Sequence, residues 1–391
     1  MAIECDVLVV GAGPAGSSAA RAAALGGAKT IFIDKKAEVG APVQYTECVS
    51  GFLLPFLPIK VPQNQFRWRI EGIRFWADRI TVDRVGALWE GYSVDRNHFD
   101  KWLSQEAVAG GASLRLDTEL VDLEFDGAGN VKKAVIKTGC GVEEIRPKVL
   151  VAADGVKSTT LNLLGEYKPQ LGDVAEVYSW EMRNLDLRSP NMKQIFFGDF
   201  TPGGYAYIFP RSKTVANVGV CGLMREKEIQ KHFFEFLDVD LVKRQVKDAE
   251  YSLEKTKDAV WGNLSDKNIY GNVLLAGDAA NHNLKPFIEG ILPSIVSGNL
   301  CGELGVKILA GAAFESEYYE KAIEKALHPH FVASKFMEKR IQSWFKSKHS
   351  GKNLLFAGLA TGLFEVGKLD ELEAMNYDAL RTTLLRNKNM M

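Results

Sequence analysis

Three separated places in this sequence combine glycine with a carboxylate in ways that suit nucleotide chemistry. The first is Gly11-Ala12-Gly13-Pro14-Ala15-Gly16, followed by Asp34 and Lys35. Gly11 suits a tight turn, Gly13 lets a pyrophosphate approach the backbone, and Gly16 lets a helix pack on a strand. The helix that starts here offers unpaired N–H groups to phosphate, and Asp34 is spaced to accept from a ribose hydroxyl. The other two are Asp154-Gly155 and Gly277-Asp278-Ala279-Ala280, each after an apolar run. A fourth stretch, Pro42–Gly51, holds Tyr45, Glu47, Cys48 and Ser50 just beyond the nucleotide unit. It reads either as a loop facing a cofactor or as an ordinary structural loop.

Strands and helices of the right type surround these residues. Ile3–Val10 reads as a strand, Ser17–Leu25 as an Ala-rich helix and Thr30–Ile33 as a second strand, the order of a dinucleotide-binding unit. Prolines and aromatics across Phe52–Trp89 disfavour helix and leave room for short strands at Ile70–Phe75 and Arg79–Val82. Asp95 is placed to cap a helix over His98–Ala109, which Gly110-Gly111 stops. Ala112–Leu116, Glu119–Phe125 and Val131–Lys137 read as strands of a small meander, with Lys148–Ala152 a further buried strand. From Gly172 onward, strands at Val174–Glu181, Met192–Phe197, Tyr205–Pro210 and Thr214–Val220 precede a helix over Glu226–Lys243. An apolar strand at Asn272–Ala276 returns the chain to the first domain, and Val296–Leu372 is mostly helical.

The fold expected is α/β: a Rossmann-like domain, a sheet-rich α+β substrate domain and a helical C-terminal region. The boundaries expected are 1–60, 92–168 and 265–310 for the first, 61–91 and 169–264 for the second, and 311–391 for the third. With 391 residues the chain can bury a large core, and a net charge of -1 gives no case for a nucleic-acid partner. The five cysteines form no CxxC pair, so neither a disulfide framework nor a metal site is expected. No leader-like segment or membrane-spanning run is read, and cytoplasm is the expected location. Phe331–Lys348 interleaves Phe, Met, Ile and Trp with basic residues. It suits peripheral contact with a membrane surface or packing on its own domain, whereas Gly351–Gly367 is too broken by glycine to span.

Taken together, the three glycine–aspartate motifs resemble the flavoproteins of the p-hydroxybenzoate hydroxylase fold. The resemblance implies FAD, with Gly11–Gly16 and Asp34 on the pyrophosphate and ribose, and Asp154-Gly155 where the domain closes on the cofactor. It further implies Asp278 at the ribityl–pyrophosphate region and Arg96 contacting FAD from its helix. Within that fold the chain is similar to the geranylgeranyl reductase family. The residues that carry this are Gly40-Ala41-Pro42-Val43, Glu47, Ser50 and Pro202-Gly203-Gly204-Tyr205-Ala206-Tyr207-Ile208-Phe209-Pro210. Tyr205, Tyr207 and Phe209 would then line an apolar channel for a prenyl chain, the alternative being ordinary sheet core. Two departures fall near the flavin ring. Tyr45 stands where many relatives have cysteine, and the glycine-rich turn that hugs the flavin keeps only Gly290, followed by Ile291.

The chemistry implied is reduction of an isolated prenyl C=C bond by flavin hydride transfer. Tyr45 and Cys48 are candidate proton donors or substrate contacts, and His282 is a candidate relay or a structural histidine. The sequence shows no second GxGxxG, so the external reductant is NAD(P)H, ferredoxin or a reduced quinone, with a redox partner protein in the latter cases. The alternatives are an aromatic hydroxylase, a quinone-linked dehydrogenase, or a non-catalytic flavin or prenyl-lipid carrier.

Overall fold

Apolar strands at Ile3–Val10 (β1), Thr30–Ile33 (β2) and Ser113–Arg115 (β8) pair in parallel and form the middle and one edge of an eight-stranded sheet. On its other side β1 pairs in parallel with Gly141–Ala152 (β11), and β11 with Val273–Leu275 (β18). Ile269–Tyr270 (β17) closes that edge. The structure is a computed structural model and describes residues 2–43, 47–77, 80–198, 200–201, 204–222, 226–285, 287–312 and 316–327, with His330 and Ser334. Tyr45, Pro202, Gly203, Gly351–Gly367 and, apart from Ser334, Phe331–Lys348 lie outside the described residues.

The register of this sheet positions the site. Val10 is level with Ala152, and Ala152 with Leu275. The turns that follow these residues, Gly11–Gly16, Ala153–Gly155 and Ala276–Ala280, therefore leave the sheet side by side at its carboxyl edge. That is where open parallel sheets bind ligands. β11 is longer than the strand expected at Lys148–Ala152. Its first half pairs antiparallel with Val131–Thr138 (β10), which pairs with Glu119–Phe125 (β9), so the meander and the parallel sheet share one strand.

Helices cover one face of the sheet. Pro14–Leu25 (α1), Arg96–Ala109 (α2), Ile291–Leu309 (α6) and Ser316–Leu327 (α7) pack there around Val7, Val9, Phe32 and Phe99. α1 and α6 lie close because Gly298 and Gly302 of α6 carry no side chain. A Cβ at Gly298 would sit 2.0 Å from the Ala15 carbonyl oxygen, and one at Gly302 would sit 2.3 Å from that of Ala19. α2 begins two residues before the expected start, because the Asp95 carboxylate accepts from the Asn97 and His98 amides and caps it there.

A seven-stranded sheet forms the second layer system, in the order Glu250–Val260 (β16), Val174–Arg183 (β12), Ala216–Gly222 (β15), Gly204–Pro210 (β14), Met192–Phe197 (β13), Gly72–Ala77 (β5) and Ile80–Val85 (β6). Side chains alternate across it. Ala206, Ile208, Val218 and Val220 face Phe233, Phe236 and Val242 on Glu226–Leu237 (α4) and Asp240–Val246 (α5). The single helix expected over Glu226–Lys243 is thus two, broken where Val239 turns extended (φ -62, ψ 126); Phe236 and Val242 still reach the sheet on either side. Cys48–Ser50 (β3), Gly91–Val94 (β7) and Phe66–Ile70 (β4) make a three-stranded sheet, all of it from the stretch of chain between β2 and β8.

Candidate active site

A cavity of about 550 Å³ opens at the shared carboxyl edge of the first sheet. Gly11, Gly13, Pro14 and Ala15 line one side of it. Gly11 has φ +102, and a Cβ there would meet the Ala153 carbonyl oxygen at 2.3 Å. A Cβ on Gly16 would sit 1.8 Å from the Gly11 oxygen, so glycine is needed for helix and turn to close on each other. Beside Gly13 there is nothing within 4 Å, which leaves that position open to a ligand. Pro14 begins α1, whose first turn holds no acidic residue and no side-chain cap. Its unpaired N–H groups and positive end are available to a pyrophosphate.

Asp34 and Lys35 lie at the same cavity. The Ala12 amide donates to Asp34 Oδ2 at 2.9 Å and the Lys36 amide to Oδ1 at 3.0 Å. These two bonds fix the carboxylate and leave lone pairs for a ribose hydroxyl. Arg96 also lines the cavity, held by α2 in a bidentate pair with Asp100, Nε to Oδ1 at 2.9 Å and Nη2 to Oδ2 at 2.7 Å. Asp278 enters from the turn after β18, and a Cβ on Gly290 would approach its Oδ1 at 3.3 Å. Gly290 caps the start of α6 and Ile291 is its first residue; both stand behind Asp278 and neither is among the cavity-lining residues.

Asp154 and Gly155 border the cavity too, and the Asp154 carboxylate is engaged by the chain that follows. It accepts from the Ser158 hydroxyl (2.6 Å), the Thr160 amide (2.8 Å) and the Thr160 hydroxyl (2.9 Å), organising the start of Thr159–Leu163 (α3). Burial pushes its pKa up, against the pull of these bonds.

A second group of candidate residues lies on the face of the seven-stranded sheet opposite α4 and α5. Tyr205, Tyr207 and Phe209 share that face, with ring centres 6.2 and 4.6 Å apart. The Tyr205 hydroxyl donates to the Phe287 carbonyl at 3.0 Å, and Phe287 also stacks on Phe75, so the sheet touches the turn that leads into α6. Gly219 lies opposite Tyr207, where a Cβ would come within 2.6 Å of the tyrosine hydroxyl. Lys193 places its ammonium 6.0 Å from the Phe209 ring centre.

Cys48 sits on β3 facing this group, and burial pushes its thiol up to about 12. Lys193 and Arg211 pull the other way, while Glu47 and Glu289 add to the rise. The thiol is therefore protonated throughout the physiological range. Glu47, 1% exposed, joins the pieces: its carboxylate accepts from Lys255 at 3.0 Å and from the Arg96 amide at 3.3 Å, and pairs with Arg211 at 2.9 Å. Glu289 accepts from the Ser50 amide at 2.9 Å and from the Ser50 hydroxyl. His282 is not part of the group. It is 1% exposed, with its ring 5.7 Å from that of Tyr319 on α7, in the helical layer rather than at the cavity.

The chain matches a model described as an FAD binding domain over residues 70–287, and a second FAD binding domain model over residues 6–54. It is 30% identical to the digeranylgeranylglycerophospholipid reductase of Methanococcus aeolicus, across 87% of this chain and 89% of the relative. It is 33% identical to that of Methanocaldococcus jannaschii, across 78% and 77%. The chain belongs to the digeranylgeranylglycerophospholipid reductase family. Among solved structures, a geranylgeranyl bacteriochlorophyll reductase-like protein from Thermoplasma acidophilum superposes with TM-score 0.83 at 23% identity, over 99% of this chain and 100% of that one. A triple mutant of the flavin-dependent brominase Bmp2 superposes with TM-score 0.71 at 16% identity, over 99% and 100%. These two share the fold. Family membership makes the cofactor FAD, and the open backbone at Gly13, the α1 N-terminus and Asp34 fit it.

Asp100 and Lys257 escape a reading of the family's motifs. Asp100 was findable, since it stands four residues after Arg96 on one helix face. Lys257 and the burial of Glu47 carry no local signal.

Proposed function

We propose that the chain saturates isolated prenyl double bonds of a digeranylgeranyl glycerolipid. The observation that carries this is the buried aromatic face of Tyr205, Tyr207 and Phe209, set beside Cys48 and the turn at Phe287, in a chain whose named relatives are reductases of such lipids. Bound FAD, reduced by NAD(P)H, ferredoxin or a quinol from outside, supplies the hydride. The α1 turn and Asp34 hold the nucleotide end, and Arg96 and Asp278 stand at the middle of the cavity. The aromatic face orients the prenyl chain and keeps water from the reacting carbon.

Cys48 holds the proton on Sγ and delivers it to the second alkene carbon. Lys193 and Arg211 stabilise the thiolate that remains, and its high basicity recovers a proton rapidly. Tyr45, next in line as a donor, lies outside the described residues. Among the described residues no helix is long and apolar enough to cross a membrane; access to lipid is assigned to Phe331–Lys348 on its composition.

Anaerobic incubation of dithionite-reduced protein with several geranylgeranyl lipids, read by mass spectrometry, tests the proposal. The expected product gains two hydrogen atoms for each bond reduced. Cys48→Ala is expected to keep its flavin and slow turnover on the order of 10²-fold or more. Unchanged mass with every lipid removes the reductase reading, and full activity in Cys48→Ala moves the proton donor elsewhere.

A further inference from the structure

Lys255 and Lys257 stand two residues apart on β16, the edge strand of the seven-stranded sheet. Lys255 pairs across β12 with Ser179, in the row that holds Gly219 and Tyr207; Lys257 pairs with Val177, in the row of Cys221 and Tyr205. Both lysines therefore leave the sheet on the face that meets the first domain. Lys255 is spent on Glu47. Lys257 goes into the cavity, together with the Gly11–Ala15 turn, Arg96 and Asp278. Among the described lining residues, Glu176, Thr256, Lys257 and Asp258 come from the second sheet, and Lys257 is the cation of the four.

We propose that Lys257 contacts the cofactor: its ammonium, brought in by the second sheet, meets the pyrophosphate of FAD opposite the first turn of α1. The inference rests on the FAD assignment and not on the prenyl substrate. The charges around Lys257 come from several elements. Asp278 lies on the turn after β18, Arg96 and Asp100 on α2, and Lys36 on the segment after β2. Asp258 on its own strand is paired with Lys157 at 2.6 Å. Burial pushes the Lys257 ammonium down to about 7, Asp278 and Asp100 oppose this, and Arg96 and Lys36 add to it. A pyrophosphate entering among Lys36, Arg96 and Lys257 removes the mutual repulsion of the cations and favours the protonated lysine.

The sign follows by linkage. Below about pH 7 the lysine is already charged in the cofactor-free protein, and binding moves no proton there. Above it, binding must take up a proton. The affinity for FAD then falls by up to about tenfold per pH unit, until the pKa of the lysine in the complex is reached. The same contact makes the cofactor a tie between the two sheets.

The test is titration of flavin-stripped protein with FAD and, separately, with ADP, from about pH 6 to about pH 9 at fixed ionic strength. Wild type, Lys257→Met and Lys257→Arg are compared, with a melting curve of each confirming that it is folded. Wild type should lose affinity for both ligands above about pH 7. Lys257→Met should bind at least about tenfold more weakly at the acid end and show no slope in this range. Lys257→Arg, charged throughout, should bind tightly without the slope. A methionine variant with wild-type affinity, or with the wild-type slope, would overturn the contact. Weakening confined to FAD with ADP unaffected would overturn its placement at the pyrophosphate. Wild type that bound neither ligand at any pH would overturn the FAD assignment itself.

Discussion

Gly298→Ala is expected to lower the melting temperature and the flavin content together. Two effects compete at this position. Alanine is the better helix former by about 1 kcal/mol, which would stabilise α6. Its Cβ, however, would stand 2.0 Å from the Ala15 carbonyl oxygen and 2.8 Å from the carbon. Both are backbone atoms of α1, which no rotamer change can move aside. Separating the helices costs about 1–3 kcal/mol or more, so packing wins. Because Ala15 belongs to the turn that receives the pyrophosphate, the displacement passes directly to the cofactor site. Gly305→Ala supplies the control on the same helix. Its nearest neighbours would be Val7 Cγ2 at 3.5 Å and Val149 Cγ1 at 3.6 Å, ordinary contacts, so there the helix term should decide and stability should hold or rise. Thermal melts and flavin absorbance of the two purified variants separate them. Equal behaviour would contradict the close crossing of α1 and α6.

Glu47→Ala should cost about 3–5 kcal/mol. The Glu47 and Lys255 side chains are each 1% exposed, and they pair with each other at 3.0 Å. Arg211 keeps Glu181 as a partner, so the loss falls chiefly on the lysine. Removing the acid leaves a buried ammonium uncompensated, which is dearer than removing both charges. Lys255→Met should therefore recover much of the loss when added to Glu47→Ala, although alone it strands the acid beside Arg211. Urea unfolding of the four proteins completes a double-mutant cycle. Additive losses would mean that the two groups do not act as a pair.

The parts of the site that were legible in sequence are those where the backbone leaves one residue type. Gly11 and Gly16 must lack a Cβ because carbonyl oxygens occupy its place, and such a demand is visible as a glycine wherever it falls. Asp95 announced the start of α2 for a similar reason, being a local acceptor for local amides. Asp154 illustrates a partial reading. Its position at the cavity follows from the strand before it, yet its carboxylate serves donors four and six residues downstream, which the motif does not disclose. His282 left two readings open in sequence, because a single histidine looks the same whether it borders a ligand or packs on a tyrosine. The pairing of Glu47 and the placement of Lys257 were opaque for another reason. Their partners lie on different layers of the fold, 208 residues away for Glu47 and Lys255, and a charged residue in an edge strand reads as one that faces water.

The alternation along β14 divides the labour between neighbouring codons. Odd-numbered positions 205, 207 and 209 send their rings to the face turned away from α4 and α5, while Ala206 and Ile208 glue the sheet to those helices. The ring face can thus change by substitution at the odd positions without disturbing the support beneath. A one-residue insertion inside the strand exchanges the two roles at once, turning aromatic rings into the helical layer. Length changes that keep both faces intact belong in the turns on either side.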